Sequence, residues 1–271
     1  LKKFKEFPKK ERKKMRDFLT ANYHTHTVRC RHAYDPEREY IETAIKMGIK
    51  KLGFSDHIPC PFTDGYVSGI RMTMEQAPEY VSTIRTLAEE YKDDIKIFVG
   101  FEAEYIPAFH EKQMAMFRKL GCDYLIMGQH FLNSEETGPY TGTPTEDESR
   151  IREYADSVIE GMKTGHFKYL AHPDLINYQG LDSVYDWEMT RLCKALKEMD
   201  IPLEINILGI SEKKHYPTEK FWRIPAEIGN KVILGLDAHC AKQLANVECY
   251  KKAVELADKY NLNLIDELPG M

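Results

Sequence analysis

Short runs rich in Ile, Val, Leu and Phe alternate along this chain with longer segments in which apolar residues recur every three or four positions. The first kind reads as buried strand and the second as amphipathic helix. A first strand ends at Ala21 to His24, and Pro36 to Met47 is a helix that Gly48 stops. The pairs continue as strand 51–55 and helix 74–91, strand 96–105 and helix 108–120, and strand 123–127 and helix 146–163. Strand 168–171 then precedes helix 183–199, in which Ser183 is the expected cap. Strand 201–206 precedes a short helix at 218–228, and strand 231–236 a closing helix at 244–260. Two stretches rich in Gly, Pro and Thr, 58–73 and 131–145, are long enough to be lids or binding loops.

Seven β/α units in succession, with no linker between them, predict an α/β fold: a parallel sheet closed into a TIM-like (β/α)7 barrel, forming one domain over 1–271. The length of 271 residues suits one such barrel, and 42% hydrophobic with 30% charged residues are globular values. Residues 1–18 form a basic N-terminal extension, with nine Lys or Arg in the first sixteen positions. Glu6 and Glu11 interrupt it and the net charge is −5, so a solvated helix fits better than a nucleic-acid arm. Six cysteines without Cys-x-x-Cys spacing indicate neither a zinc knuckle nor a disulfide scaffold, and a reducing cytoplasm is the expected compartment. No apolar run is long enough for a membrane span.

The chemistry lies where the strands end. His24, His26 and His32 fall within nine residues, and alternation on a strand would turn His24 and His26 to one side. His57, Glu102, His130, His172, Asp237 and His239 follow at the ends of later strands. Active sites of barrels of this kind lie at those ends. Seven of the ten histidines converge there with two carboxylates, which ordinary packing does not explain because buried polar groups need partners.

A nitrogen and oxygen donor set suits Zn, Mn or Fe. Nine candidate ligands exceed the need of one four-coordinate ion, and a carboxylate such as Glu102 could bridge, so two or three divalent ions are expected. Such a cluster leaves net positive charge facing the barrel mouth and favours an anionic substrate. Phosphate ester hydrolysis fits, because the ions would lower the pKa of a water toward about 7 and neutralise phosphoryl oxygens. The sequence has no Cys-x5-Arg, Asp-x-Asp, Gly-x-Ser-x-Gly or P-loop segment to support another phosphatase chemistry. Asp56 in Ser55-Asp56-His57 reads as a support for the ligands.

The chain resembles the PHP (polymerase and histidinol phosphatase) family, and within it the histidinol-phosphatase branch. The resemblance rests on His24-Thr-His26 with His32, Ser55-Asp56-His57, Gly100-Phe-Glu102, Gly128-Gln-His130, His172-Pro-Asp174, Glu204-Ile-Asn206, Tyr216-Pro217 and Gly235-Leu-Asp237-Ala-His239, in order. It implies a distorted seven-stranded barrel with three divalent metal ions. His24, His26, Glu102 and Asp237 would hold one ion, Glu102, His130 and His172 a second, and His32, His57 and His239 a third. Catalysis would depend on Glu102, Asp237 and His239. The implied reaction is hydrolysis of a small-molecule phosphate ester, L-histidinol phosphate, to L-histidinol and phosphate, a step of histidine biosynthesis.

Candidate phosphate contacts are Arg29, Arg31, Arg71, Lys213, Lys214 and His215, with Arg71, Lys213 and His215 as the choice for substrate binding. Phe62 and Tyr66 could pack on a substrate ring. The alternatives are action on another phosphomonoester, a nucleotide or a phosphodiester, an amidohydrolase, and a metal-binding module without activity. The acidic balance disfavours nucleic acid, and His130 on the fourth strand does not suit the amidohydrolase pattern.

Overall fold

A computed structural model describes residues 18–62 and 65–271; the basic extension falls almost wholly outside them. Eight parallel strands follow one another round a single sheet in chain order. They are β1 (Ala21–Asn22), β2 (Lys51–His57), β3 (Lys96–Ala103), β4 (Tyr124–Met127), β5 (Phe167–Leu170), β6 (Leu203–Asn206), β7 (Lys231–Gly235) and β8 (Asn263–Leu264). The helices between them are α1 (Glu37–Lys46), α2 (Ala77–Glu90), α3 (Pro107–Leu120), α4 (Glu148–Lys163), α5 (Asp182–Glu198), α6 (Ile207–Ser211), α7 (Glu219–Ile228) and α8 (Val247–Lys259).

The seven-stranded expectation is one strand short. β8 pairs only with the start of β7, Lys231 opposite Asn263 and Val232 opposite Leu264, and two residues carry no periodic signal. At the other end the sheet closes without β8. Thr25 bridges Ala238 in parallel, and the His26 amide donates to the Ala238 carbonyl at 2.8 Å. The first strand is correspondingly shorter than the four residues expected, and His24 and His26 lie in that closing segment.

Alternation along each strand divides the side chains into two sets. On β3, Ile97, Val99 and Phe101 face the helices, whereas Phe98 joins Tyr23, Tyr124, Ile126, Tyr169 and Ile233 in the barrel interior. Glu102 shares the phase of Phe98, Asp237 that of Ile233, and Glu204 and Asn206 form the inward set of β6. The interior is therefore apolar at its base and polar at its mouth. Near-continuous burial of β4 and β6 is what a parallel sheet covered on both faces requires.

The helices begin and end where local chemistry allows. Pro107 opens α3 and Gly121, at φ 64°, closes it. Asp147 and Thr218 cap α4 and α7 through their side chains. Ser183 does not cap α5; the helix starts one residue earlier, after Leu181. The five-residue α6 has no counterpart in the sequence reading. It is too short for periodicity to reveal, and the Asn206 side chain caps it by accepting from the Gly209 amide at 2.9 Å. Among the described residues no helix is long and apolar enough to cross a membrane, and all six cysteines are free thiols.

Phe101 is fully buried between β3 and α2, with its ring 5.2 Å from that of Tyr80. Phe101→Ala is expected to cost about 3–5 kcal/mol of stability, measured by equilibrium urea denaturation.

Candidate metal centre

Nine side chains from six strand ends and the first loop meet at the barrel mouth. Glu102 is at their middle. Its Oε2 lies 3.5 Å from His24 Nε2, 3.5 Å from His26 Nε2 and 3.1 Å from His57 Nδ1. Its Oε1 lies 2.8 Å from His172 Nε2 and 3.5 Å from His130 Nε2. Asp237 Oδ1 stands 3.1 Å from His26 Nε2 and 3.4 Å from His24 Nε2. These separations are close to the edge of a tetrahedron with about 2.0–2.1 Å metal–nitrogen bonds, about 3.3 Å. Donor atoms of His24, His26 and Asp237, of His24, Glu102 and His172, and of His26, His57 and Glu102 each lie within 4.8 Å of one another.

His32, His57 and His239 form a further group on the outer side. His32 is brought back to the mouth by a 3-10 turn over Val28–Cys30, after which Arg31 takes φ 68°. His32 Nδ1 donates to the Cys30 carbonyl at 2.7 Å, and His239 Nδ1 donates to the Asp237 carbonyl at 3.0 Å. A carbonyl can only accept, so each neutral ring carries its proton on Nδ1 and leaves a lone pair on Nε2. The two Nε2 atoms face each other at 3.0 Å. Two lone pairs at that distance repel unless a cation lies between them.

The deeper donors give the same answer by a different test. His24 Nε2, both nitrogens of His26, Glu102 Oε2, His172 Nδ1 and Asp237 Oδ1 are buried without a hydrogen-bond partner. They are six of the twelve such side-chain atoms among the described residues. Leaving so many polar atoms unpaired in one place is costly, and divalent cations would satisfy all but the outward-turned nitrogens. The donor set therefore fits divalent metal ions. Burial would raise the carboxyl groups of Glu102 and Asp237, but the imidazoles of His130, His24 and His57 around the first, and of His24, His26 and His239 around the second, hold both well below the usual range. Both remain anionic.

Behind these donors stands a layer of carboxylates that orients them. Glu204 accepts from His24 Nδ1 at 2.9 Å and from the His172 amide at 3.1 Å, and Asn206 ties it to Asp237 with bonds of 3.0 Å to each. Asp56 accepts from the Thr27 amide at 3.3 Å and lies 3.5 Å from His26 Nδ1. Glu104 takes His130 Nδ1 at 3.2 Å, which fixes Nε2 toward Glu102. Glycines make the close approaches possible. A Cβ at Gly128 would lie 1.9 Å from Glu102 Oε1, and one at Gly235 would lie 1.8 Å from Glu204 Oε1. His172 and Asp237 themselves adopt φ of 29° and 50°, the left-handed region that aims each side chain off its strand end.

The expected substrate contacts fare differently from the metal donors. Arg71 is buried and forms a bidentate pair with Glu104 at 2.9 and 3.0 Å, bonds Glu135 at 2.7 Å and donates to the Ile58 carbonyl. Four of its five N–H groups are bonded within the protein, which makes it a buried tie between the two long loops. Arg29 is paired with Glu37 and Glu79, and Arg31 with the Ser68 carbonyl. Lys213 is exposed away from the mouth, and His215 Nε2 is spent on the Leu175 carbonyl at 2.7 Å. Phe62 and Tyr66 pack on each other, and the Tyr66 hydroxyl donates to Glu135.

A cavity of about 450 Å³ opens above the cluster. Lys214 lines it with Tyr34, Phe131, Tyr140, Glu212 and Tyr216. Burial would lower the Lys214 ammonium, but Asp237 and then Glu212 raise it, so it stays charged. The short helix α6 turns the chain so that Lys214, and not its neighbours on either side, reaches the cavity. The roles of Glu104, Glu204 and Asn206 were not read from the sequence, although a carboxylate inside an apolar strand was the available signal.

The PHP domain signature matches residues 22–208 of this chain. The chain belongs to the PHP family. Its similarity runs to the histidinol-phosphatase branch. A protein of Deinococcus radiodurans named "Probable histidinol-phosphatase" is 30% identical over 236 residues, covering 80% of this chain and 85% of that protein. The histidinol-phosphatase of Lactococcus lactis subsp. lactis is 26% identical over 239 residues, covering 82% and 85% of the two. The crystal structure of histidinol phosphate phosphatase from Lactococcus lactis, complexed with zinc, L-histidinol and phosphate, superposes with a TM-score of 0.70 at 22% identity. That match covers 91% of this chain and 95% of the other, and it establishes the PHP barrel as a shared fold.

Gly235→Ala in this PHP chain is expected to displace Glu204 from His24 and weaken zinc binding by about ten-fold or more, measured by competition with a chromophoric chelator. Gly69→Ala, where a Cβ meets nothing within 4 Å, should leave the affinity unchanged. Arg71→Met leaves Glu104 and Glu135 without their cation and should cost about 3–5 kcal/mol in urea denaturation. Adding Glu104→Gln and Glu135→Gln should return much of that loss; no recovery would mean that the charge pairing is not the cause.

Proposed function

We propose that this PHP protein is a metal-dependent phosphomonoesterase, a histidinol-phosphatase that hydrolyses L-histidinol phosphate to L-histidinol and phosphate. The observation that carries the reading is the Glu102 carboxylate, buried with each oxygen facing a different set of imidazoles. Supporting the substrate are the curated relatives that bear the name histidinol-phosphatase. We assign three divalent ions to the cluster: one to His24, His26, Glu102 and Asp237, one to Glu102, His130 and His172, and one to His32, His57 and His239. Zinc, manganese and iron all suit these donors. When bound, such ions supply an activated water and neutralise charge on the phosphoryl oxygens.

The chain's own residues bind and orient the ester. Lys214 lines the cavity, paired with Glu212 through one contact at 3.1 Å, and we assign it as the phosphate contact in place of Arg71, Lys213 and His215. An ammonium is a point charge, so the geometry it imposes on a phosphate is looser than an arginine fork would give. Tyr34, Phe131, Tyr140 and Tyr216 offer aromatic faces to an imidazole ring, and the Glu212 carboxylate at the rim suits the substrate ammonium. The cluster residues Glu102 and Asp237 hold the charge on which hydrolysis depends. The free thiols suit a reducing compartment, the cytoplasm.

Metal-replete protein should release phosphate from L-histidinol phosphate with kcat/KM of about 10⁴ M⁻¹s⁻¹ or more, and a chelator should abolish it. Glu102→Ala and Asp237→Ala should each remove nearly all turnover. Lys214→Ala should raise KM about ten-fold or more, the worth of a hydrogen bond to a charged group. Hydrolysis of an aryl phosphate with histidinol phosphate left untouched would move the substrate to another phosphomonoester.

A further inference from the structure

Cys30 ends the 3-10 turn that follows His26, and its side chain is fully buried. The residue already serves the cluster through its backbone, because its carbonyl accepts from His32 Nδ1 at 2.7 Å. Its sulfur has a second relation to the site. Cys30 Sγ, a nitrogen of His26 and a nitrogen of His239 lie within 4.8 Å of one another. The two rings stack with centroids 4.1 Å apart.

His26, counted above among the unpaired donors, borders the same thiol. It is fully buried, and neither ring nitrogen has a hydrogen-bond partner. Its Nε2 faces Asp237 Oδ1 at 3.1 Å; its Nδ1 has nothing closer among the carboxylates than Asp56 Oδ1 at 3.5 Å, beyond a made hydrogen bond. Charge points the same way. The nine donors carry two negative charges, from Glu102 and Asp237, against at least two divalent ions, and a thiolate would bring a third negative charge inside the cluster.

Resting on the metal-centre reading above, we infer that Cys30 is a thiolate ligand of the ion assigned to His239, on the side that borders His26, and that it selects a thiophilic divalent cation, zinc or ferrous iron, at that position. The thiol loses its proton to solvent as the ion enters, and no redox change is involved. Sulfur ligation favours zinc and iron over manganese, which prefers oxygen and nitrogen donors. The cluster is then not uniform: its ions differ in exchange preference according to their distance from Cys30.

The test is cobalt substitution of the whole chain, read by absorption. Bound cobalt gives visible bands whatever its ligands, and a thiolate adds a sulfur-to-cobalt charge-transfer band in the near ultraviolet. That band should be present in the wild type, absent in Cys30→Ser and retained in Cys240→Ser, the other thiol at the mouth. Cys30→Ser should weaken zinc binding about ten-fold or more and manganese binding less than three-fold. Visible bands without the ultraviolet one, or an ultraviolet band lost only in Cys240→Ser, would overturn the assignment and leave the metal centre standing. Wild-type protein that binds no cobalt would overturn both. Should Cys30→Ser not fold, X-ray absorption at the zinc edge of Cys240→Ser protein decides: a sulfur shell at about 2.3 Å is expected, and a purely nitrogen and oxygen shell overturns the inference.

Discussion

A carboxylate buried among five imidazoles sets the terms for the rest of this barrel. Glu102 arrives at the mouth because β3 alternates, and burial there would neutralise it if nothing positive came near. The imidazoles that surround it are themselves short of partners, and beyond them His32 and His239 point lone pairs at each other. Protons alone balance such a set poorly, since each added charge sits beside others of the same sign. Divalent cations balance it well, as each ion takes several donors at once and the carboxylate can face two of them.

That constraint spreads outward through the fold. Imidazoles that are to offer one nitrogen must have the other fixed, and Glu204, Glu104, Asp56 and two backbone carbonyls stand behind the rings. The supports need supports in turn. Glu104 is anionic in the interior because Arg71 pairs with it, and Arg71 is held by Glu135 from the second long loop. Loop closure and orientation of His130 are thus one network. Gly128 and Gly235 complete it from the steric side, since a single methyl group at either would occupy the position of a carboxylate oxygen.

The substrate side is built with less redundancy. One lysine, one glutamate and four aromatic rings line a cavity whose floor is the cluster. Bound cations at the floor would draw a dianion, and the walls would choose among anions. Most cationic side chains near the mouth are paired within the protein, Lys214 with Glu212 at 3.1 Å among them, and of these Lys214 lines the cavity.

The sequence by itself determined the β/α succession, the barrel class and all nine side chains at the mouth. The reason is physical: a strand's period of two and a helix's period of 3.6 are local, and in a parallel barrel the end of each strand is the same face of the molecule. His57, His130 and His172 could be assigned to one place from their position after a strand, without any knowledge of distance. Only the tertiary structure decided what lies beyond local periodicity. The eighth strand is too short to carry a pattern, α6 likewise, and the closure between Thr25 and Ala238 joins segments more than two hundred residues apart. What a cation can reach depends on which carboxylates surround it in space: Arg71 is a buried tie between Glu104 and Glu135, while Lys214, paired with Glu212, lines the cavity beside two neighbours that do not. Charge in a sequence has a sign but no partner, and the fold supplies the partner.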